Sequence, residues 1–285
     1  MINYIKRKDL NVKKYDACIE ESIQSRIYAF SWYLDIVADN WDVLVLDAYE
    51  AVMPIPWKRK YFLKYSTQPY FCQQLGVFSK TTLSAKLQVD FINRIPNSFL
   101  KVSYQFNSDN VNVSNHFSER KNYILNLSED YSELRKKYKK DRKYRVNQSL
   151  RNDFVIQNIE IDNLIKIAKE HYKFIALLDK DYLKLKKLMY QAVKTNNGFL
   201  LGVKDAGGCF FLKDKKRLIY LFSVMTPFGK EKQVPSLLLD SIIKEYSNSN
   251  YTLDFEGSMI PGVEAFYKSF GAEKEDYYLF EKSFL

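Results

Sequence analysis

The chain has 285 residues, 46% of them hydrophobic and 27% charged. That is enough apolar material for one large or two moderate cores, and it argues against wholesale disorder. Its 44 lysines and arginines against 34 aspartates and glutamates leave a formal charge of +10. Such a surplus favours an anionic partner, although a background rich in Lys, Asn, Tyr, Ile and Phe also produces one. Cys18, Cys72 and Cys209 lie far apart without a C-x-x-C spacing, and neither an apolar signal core nor 18 uninterrupted apolar residues occurs. A disulfide framework, a zinc site and a transmembrane helix are therefore not expected, and a cytoplasmic location is.

In chain order, Ile19, Ile23, Ile27, Phe30 and Leu34 recur every three or four residues and predict a helix over 16–37. Strands are expected over 41–47, 51–55, 61–65 and 71–78, the second pushed toward an edge by Pro54 and Pro56. Leu83, Leu87, Phe91 and Ile95 predict a helix over 82–95, ended by Pro96. The alternation of Leu100, Val102, Tyr104 and Phe106 predicts a strand over 99–106, followed by a polar loop over 107–115.

A second series opens at Ser128, an expected N-cap followed by Glu129 and Asp130, with a basic helix running to about Arg151. A short strand over 154–159 and amphipathic helices over 161–175 and 182–193 come next. Strands follow over 199–203, 209–212 and 218–225, then a helix over 235–246 with Pro235 in its first turn. A strand over 251–255, a helix over 261–270 and a strand over 277–280 complete the series. Each half thus reads as helix, antiparallel-looking strands, helix, strand. The expected fold is α/β with mixed sheets in two lobes, 1–125 and 126–285.

Two places invite chemistry. The loop from Val224 through Thr226, Phe228, Gly229, Lys230 and Lys232 joins a strand to a helix, where free N–H groups and a positive dipole end can cradle a pyrophosphate. An ordinary polar crossover is the other reading. The segment from Asp254 to Ala272 places Asp254 and Glu256 at alternate positions leaving a strand, with Gly257 and Gly262 permitting close backbone approach.

Within it, Phe266-Tyr267-Lys268-Ser269-Phe270-Gly271 resembles the F-Y-x-x-x-G-F signature of GNAT acyltransferases, with Ala272 where the last aromatic would be. The Asp254–Gly257 stretch and Arg145-Val146-Asn147 resemble the FemAB branch, which carries two tandem GNAT-like domains. The resemblance spans about 126–285 by motif and the first half by element order only. It implies transfer of an activated acyl group, from acyl-CoA or aminoacyl-tRNA, to an amine acceptor such as a cell-wall or envelope precursor, without metal. Tyr267 would then match the tyrosine that protonates the leaving group. Glu256 or Asp254 could accept the amine proton. The donor stays open, because the loop at Gly229 lacks the family's Q/R-x-x-G-x-G/A spacing. A module that keeps the fold and binds an anionic ligand or nucleic acid without catalysis is the alternative.

The segment 133–151 carries nine cations against Glu133 and Asp141, with Tyr138 and Tyr144 interleaved. On one helix these form a positive rod that could receive a tRNA arm or a lipid or nucleotide phosphate through Lys139, Arg142 and Arg145. It also fits a solvated surface helix. His116 and His171 stand alone, His171 on an apolar helix face as a core or rim residue. No P-loop, H-E-x-x-H, G-x-S-x-G or G-x-G-x-x-G occurs, which removes the commonest NTPase, metalloprotease, serine hydrolase and dinucleotide readings.

Overall fold

A computed structural model describes residues 1–172, 175–257 and 259–283. The chain divides into two compact units, Met1–Arg120 with Asp276–Leu285, and Lys121–Glu275. Sequence order alone places the last strand with the second lobe, whereas Asp276 onward belongs to the first unit.

The first unit begins with β1 (Ile2–Lys6), α1 (Val12–Glu21) and α2 (Ser31–Val37). The single helix expected over 16–37 is two. After Ser22 the chain extends, and Asp16 turns its carboxylate onto the Ser31 N–H and hydroxyl at 2.8 and 2.6 Å, which fixes the start of α2. Ile23, counted into the apolar stripe, lies in this break and is exposed. Then come β2 (Asn40–Leu46), β3 (Ala51–Lys60), β4 (Leu63–Thr67), β5 (Phe78–Ser79), α3 (Ala85–Asn93) and β6 (Phe99–Phe106). Within the unit the strands run β1-β2-β3-β4-β6, followed by the C-terminal strand Glu273–Ser283, with β5 on β3. The β4–β6 pairing is parallel, and the chain between them includes α3.

Pro54 and Pro56 do not place β3 at an edge. β5 pairs with Ala51 and Val52, and β4 with Trp57–Lys60, so both prolines fall in the gap between those partners, where a missing N–H is tolerated. Of the strand expected over 71–78, only Phe78 enters a ladder, apart from an isolated bridge at Leu75. The core holds Tyr15, Phe78, Phe91, Tyr104 and Phe106, and the buried phenols of Tyr15 and Tyr104 donate to the carbonyls of Ala29 and Pro54.

The division between units falls inside β7 (Phe117–Asn126), a strand that the residue pattern does not announce. The second unit continues with α4 (Tyr131–Lys136), α5 (Lys140–Leu150), α6 (Ile161–His171) and α7 (Asp179–Lys194). β8 (Gly198–Val203), β9 (Gly207–Lys213), β10 (Arg217–Met225), α8 (Pro227–Glu231), α9 (Val234–Glu245), β11 (Thr252–Asp254) and α10 (Pro261–Lys268) complete it, and β12, the C-terminal strand, starts in this unit and passes into the first at Asp276. Its strands run β7-β11-β10-β9-β8, antiparallel except for β11 beside β10. Residues 154–159 make only a bridge from Gln157 to Gly202 rather than a strand. The helix expected over 161–175 ends at His171, and Lys173 and Phe174 lie outside the described residues.

Leu237, Leu238, Leu239, Ile242 and Ile243 of α9 pack with Phe211, Leu218 and Leu253 of the sheet in one core. The N-cap of α4 is Asp130 rather than Ser128. Its carboxylate accepts the N–H groups of Ser132 and Glu133, so the acid next to the dipole end takes the capping role.

Candidate active site

β10 and β11 run side by side only from Arg217 to Ile219, opposite Thr252 to Asp254. β11 then ends, while β10 continues to Met225 and carries a bulge at Leu221, between the Tyr220–Phe211 and Phe222–Phe210 pairs with β9. A bulge raises the local twist, and the edge of β10 beyond Ile219 loses its neighbouring strand. Along this edge lies a cavity of about 430 Å³, all of whose lining residues belong to the second unit. Tyr220 to Met225 line it together with Glu256, Gly257, Tyr267 of α10 and Tyr172 at the end of α6. A strand edge that runs on past the end of its neighbouring strand can turn alternate N–H groups toward an oxyanion or a bound acyl carbonyl.

The chain reaches this edge through a tight turn. The Asp254 carboxylate accepts the Glu256 N–H at 2.9 Å, and Glu256 and Gly257 both take left-handed backbone, at φ +55° and +46°. Gly257 lies against β7: a Cβ there would sit 2.1 Å from the Lys121 carbonyl oxygen, so only glycine fits. Ser258 lies outside the described residues.

The two acids expected to share a face separate here. Strand alternation stops at Asp254, so Glu256 turns to the cavity while Asp254 goes inward. Asp254 is 2% exposed and anchors a buried network. Arg217 Nη1 meets its Oδ2 at 2.7 Å, Asn122 Nδ2 donates to its Oδ1 at 3.0 Å, and Arg217 Nη2 reaches Glu275 Oε1 at 2.7 Å. The carboxylates of Asp254 and Glu275 raise the Arg217 pKa against its burial. Asp254 is therefore a structural anchor of the turn, which corrects its candidacy as proton acceptor.

Tyr267 is held in place by rings. It stacks on Phe255 with centroids 4.9 Å apart and meets Tyr220 edge-on at 6.4 Å. Among the described residues its hydroxyl has no hydrogen-bond partner. Burial first, and then the Glu256 carboxylate, push its pKa up, so it stays a proton donor. Tyr172, which the sequence did not single out, has its pKa pushed up to about 12 by burial and by Glu256, and its ring lies 4.9 Å from Phe222. Nothing in the sequence marked it, since it only follows an amphipathic helix. His171 also lines the cavity, in keeping with a rim position. α10 is tied to β7 through Glu264, which accepts from the Tyr123 hydroxyl at 2.6 Å and from Lys121 at 3.3 Å. These partners hold its carboxyl down at about 2.

The expected phosphate loop divides. Val224 and Lys230 line the cavity, and Thr226, Phe228, Gly229 and Lys232 do not. Thr226 caps α8 through the Gly229 N–H at 3.1 Å, and Phe228 meets Phe154 edge-on. Lys232 pairs with Glu231. Gly229 lies so close to the strand turn that a Cβ would stand 2.0 Å from the Ala206 carbonyl oxygen, so its smallness serves backbone packing. The N–H groups of Thr226, Gly229, Lys230, Lys232 and Gln233 all bond within the protein.

The basic rod is broken into α4 and α5 at Lys137–Lys139, where the Lys139 N–H donates to the Ser269 carbonyl. Arg142 is 5% exposed. It donates to the hydroxyls of Ser269 and Ser236 and lies over the Phe266 and Phe270 rings at 4.4 and 4.8 Å. Burial without a carboxylate partner holds its pKa at about 10, below the ordinary arginine value. Arg142 supports α10 from beneath and is not a surface cation for a polyanion, a correction that follows from its place on the buried face of α5. Lys136, Lys137 and Arg145 are engaged by Glu133, Glu129 and Asp141, while Lys139 stays exposed. Among the described residues no cluster of His, Cys, Asp and Glu could hold a metal ion, and no helix is long and apolar enough to cross a membrane.

No protein-family model matches the chain, and no curated protein matches it in sequence. Solved structures do match. FemX superposes with a TM-score of 0.68 at 10% identity, over 97% of this chain and 96% of that one. L-PGS from Bacillus licheniformis gives 0.56 at 11% identity, over 94% and 90%. A tandem GNAT protein from the clavulanic acid biosynthesis pathway gives 0.54 at 8%, over 100% and 99%. At these identities the likeness is one of fold, and it extends over nearly the whole of each chain. The chain thus has a FemAB-like, tandem GNAT fold.

Proposed function

We propose that the chain transfers an activated acyl or aminoacyl group to an amine, and that the reaction takes place in the cavity beside β10. The observation that carries this reading is that Glu256 and Tyr267 line one cavity along the part of β10 that runs on past the end of β11. The amine nitrogen attacks the acyl carbon, and the N–H groups of the β10 edge steady the developing oxyanion. The amine proton passes to the Glu256 carboxylate. As the carbon–sulfur or carbon–oxygen bond to the donor breaks, Tyr267 gives its proton to the departing atom. The FemAB-like fold supports an envelope precursor as acceptor and a cytoplasmic setting.

One observation favours the second reading, a binding module without turnover: the N–H groups of Gly229, Lys230, Lys232 and Gln233, candidates to cradle a donor pyrophosphate, are bonded inside the loop 226–233. The test compares acetyl-CoA binding by calorimetry with aminoacyl-tRNA binding by gel shift, followed by turnover with a small amine. Turnover with either donor, lowered about 10²–10⁴-fold in Tyr267→Phe and in Glu256→Gln, supports the transferase. Donor binding without turnover assigns the binding module, and binding of neither donor removes the transferase reading.

A further inference from the structure

The β3–β4 hairpin of the first unit ends in a two-residue loop, Tyr61-Phe62, closed by the Lys60–Leu63 pair. Such loops favour Asn, Asp or Gly, because the backbone turns through positive φ. Here Tyr61 takes φ +54°, and the apex residues Tyr61, Phe62 and Leu63 are 83%, 96% and 52% exposed. Local turn chemistry explains none of these three side chains, and they are contiguous. The run Trp57–Tyr65 also holds Lys58, Arg59, Lys60 and Lys64 and no carboxylate. Lys58 reaches Asp39 at 3.9 Å. Arg59, Lys60 and Lys64 form no ion pair among the described residues, and lie instead over the rings of Trp57 and Tyr61.

We propose that this hairpin tip docks on an anionic lipid surface, with Tyr61, Phe62 and Leu63 entering the headgroup region and the four cations facing the lipid phosphates. An apolar apex backed by a collar of lysine and arginine matches the layered chemistry of that surface. Aromatic rings sit at the interface, and each nearby cation adds roughly fivefold to affinity. Nucleic acid asks for a different shape, a charged groove that tracks a backbone with ring faces as stacking platforms. This tip is convex, its cations stand behind the apex, and Leu63 offers no face for a base.

The test is sedimentation of the full chain with vesicles of phosphatidylglycerol and phosphatidylcholine, beside vesicles of phosphatidylcholine alone. One variant carries Tyr61→Ser, Phe62→Ser and Leu63→Ser, and another Arg59→Gln, Lys60→Gln and Lys64→Gln. The expected result is binding to the anionic vesicles only, at least tenfold weaker in each variant, with unfolding midpoints little changed because five of the six side chains are exposed and Lys64 is half-buried. The fluorescence of Phe62→Trp should shift to the blue on those vesicles. Absence of anionic-vesicle binding overturns the proposal, and so does a serine variant that binds as the wild type does. Binding of a single-stranded oligonucleotide, weakened in both variants while vesicles stay unbound, reassigns the tip to nucleic acid. These outcomes are independent of the transfer reaction, since turnover on a soluble amine should be equal in all three proteins.

Discussion

Replacing Asp254 by asparagine separates a structural carboxylate from a catalytic one. The amide oxygen can keep the contacts from Asn122 Nδ2 and the Glu256 N–H, now at 3.0 and 2.9 Å. The new NH2 group, however, stands where Oδ2 met Arg217 Nη1 at 2.7 Å, so a donor faces a donor. Breaking a buried ion pair costs about 3–5 kcal/mol. Glu275 still accepts from both guanidinium nitrogens, at 2.7 and 3.0 Å, which places the loss near the lower end, about 3 kcal/mol. For a unit of this size such a loss lowers the melting midpoint by about 6–12 °C. The assay is paired: thermal unfolding, and turnover at a temperature where the variant is folded. Turnover should stay within about threefold of the parent, because Asp254 does not itself line the cavity and the asparagine keeps the bond to the Glu256 N–H. A variant that keeps its midpoint but loses about 10²-fold or more in turnover would show Asp254 to be a general base and refute the reasoning.

Arg142→Glu should unfold the second unit rather than loosen a polyanion, since it buries an acid among Phe266, Phe270 and two serine hydroxyls. Lys139→Glu should leave the unfolding midpoint unchanged, and calorimetry of both variants checks the contrast. Gly229→Ala forces a methyl onto the Ala206 carbonyl and should cost about 1–3 kcal/mol in urea unfolding. Glu264 has its folded pKa depressed from 4.5 to about 2, so its contribution is present above pH 4.5 and fades as the pH falls toward 2. Glu264→Gln should therefore flatten the stability–pH curve over that window, and an unchanged slope would detach Glu264 from the anchoring of α10. Because burial raises Tyr267 above the ordinary tyrosine value of 10.0, the rate should show no descending limb from this group below pH 10. A limb near pH 9 that disappears in Tyr267→Phe would contradict its proton-donor state.

Much was legible in the residues because it depends on neighbours in sequence. The alternation in β6, the strands β8, β9 and β10 between turn residues, and the amphipathic α6 and α7 follow from period and punctuation alone, and so does the order that points to two mixed α/β units. The aromatic run through Tyr267 marked the helix that carries the candidate donor. What the chain order could not decide depends on groups brought together from far apart. Asp16 reaches Ser31 and splits one apolar stripe into two helices. Arg217 and Asn122, 37 and 132 residues away, claim Asp254 for the interior, so that of the two acids Glu256 lines the cavity. Arg142 looks like one cation among nine until Ser236 and Ser269 receive it beneath α10. Tyr172 enters the site because the end of α6 comes to lie beside the open edge of β10. Periodicity reports which face of an element is apolar, whereas the role of a charged or polar side chain is set by the partner that desolvates or pairs with it, and that partner is chosen by tertiary structure.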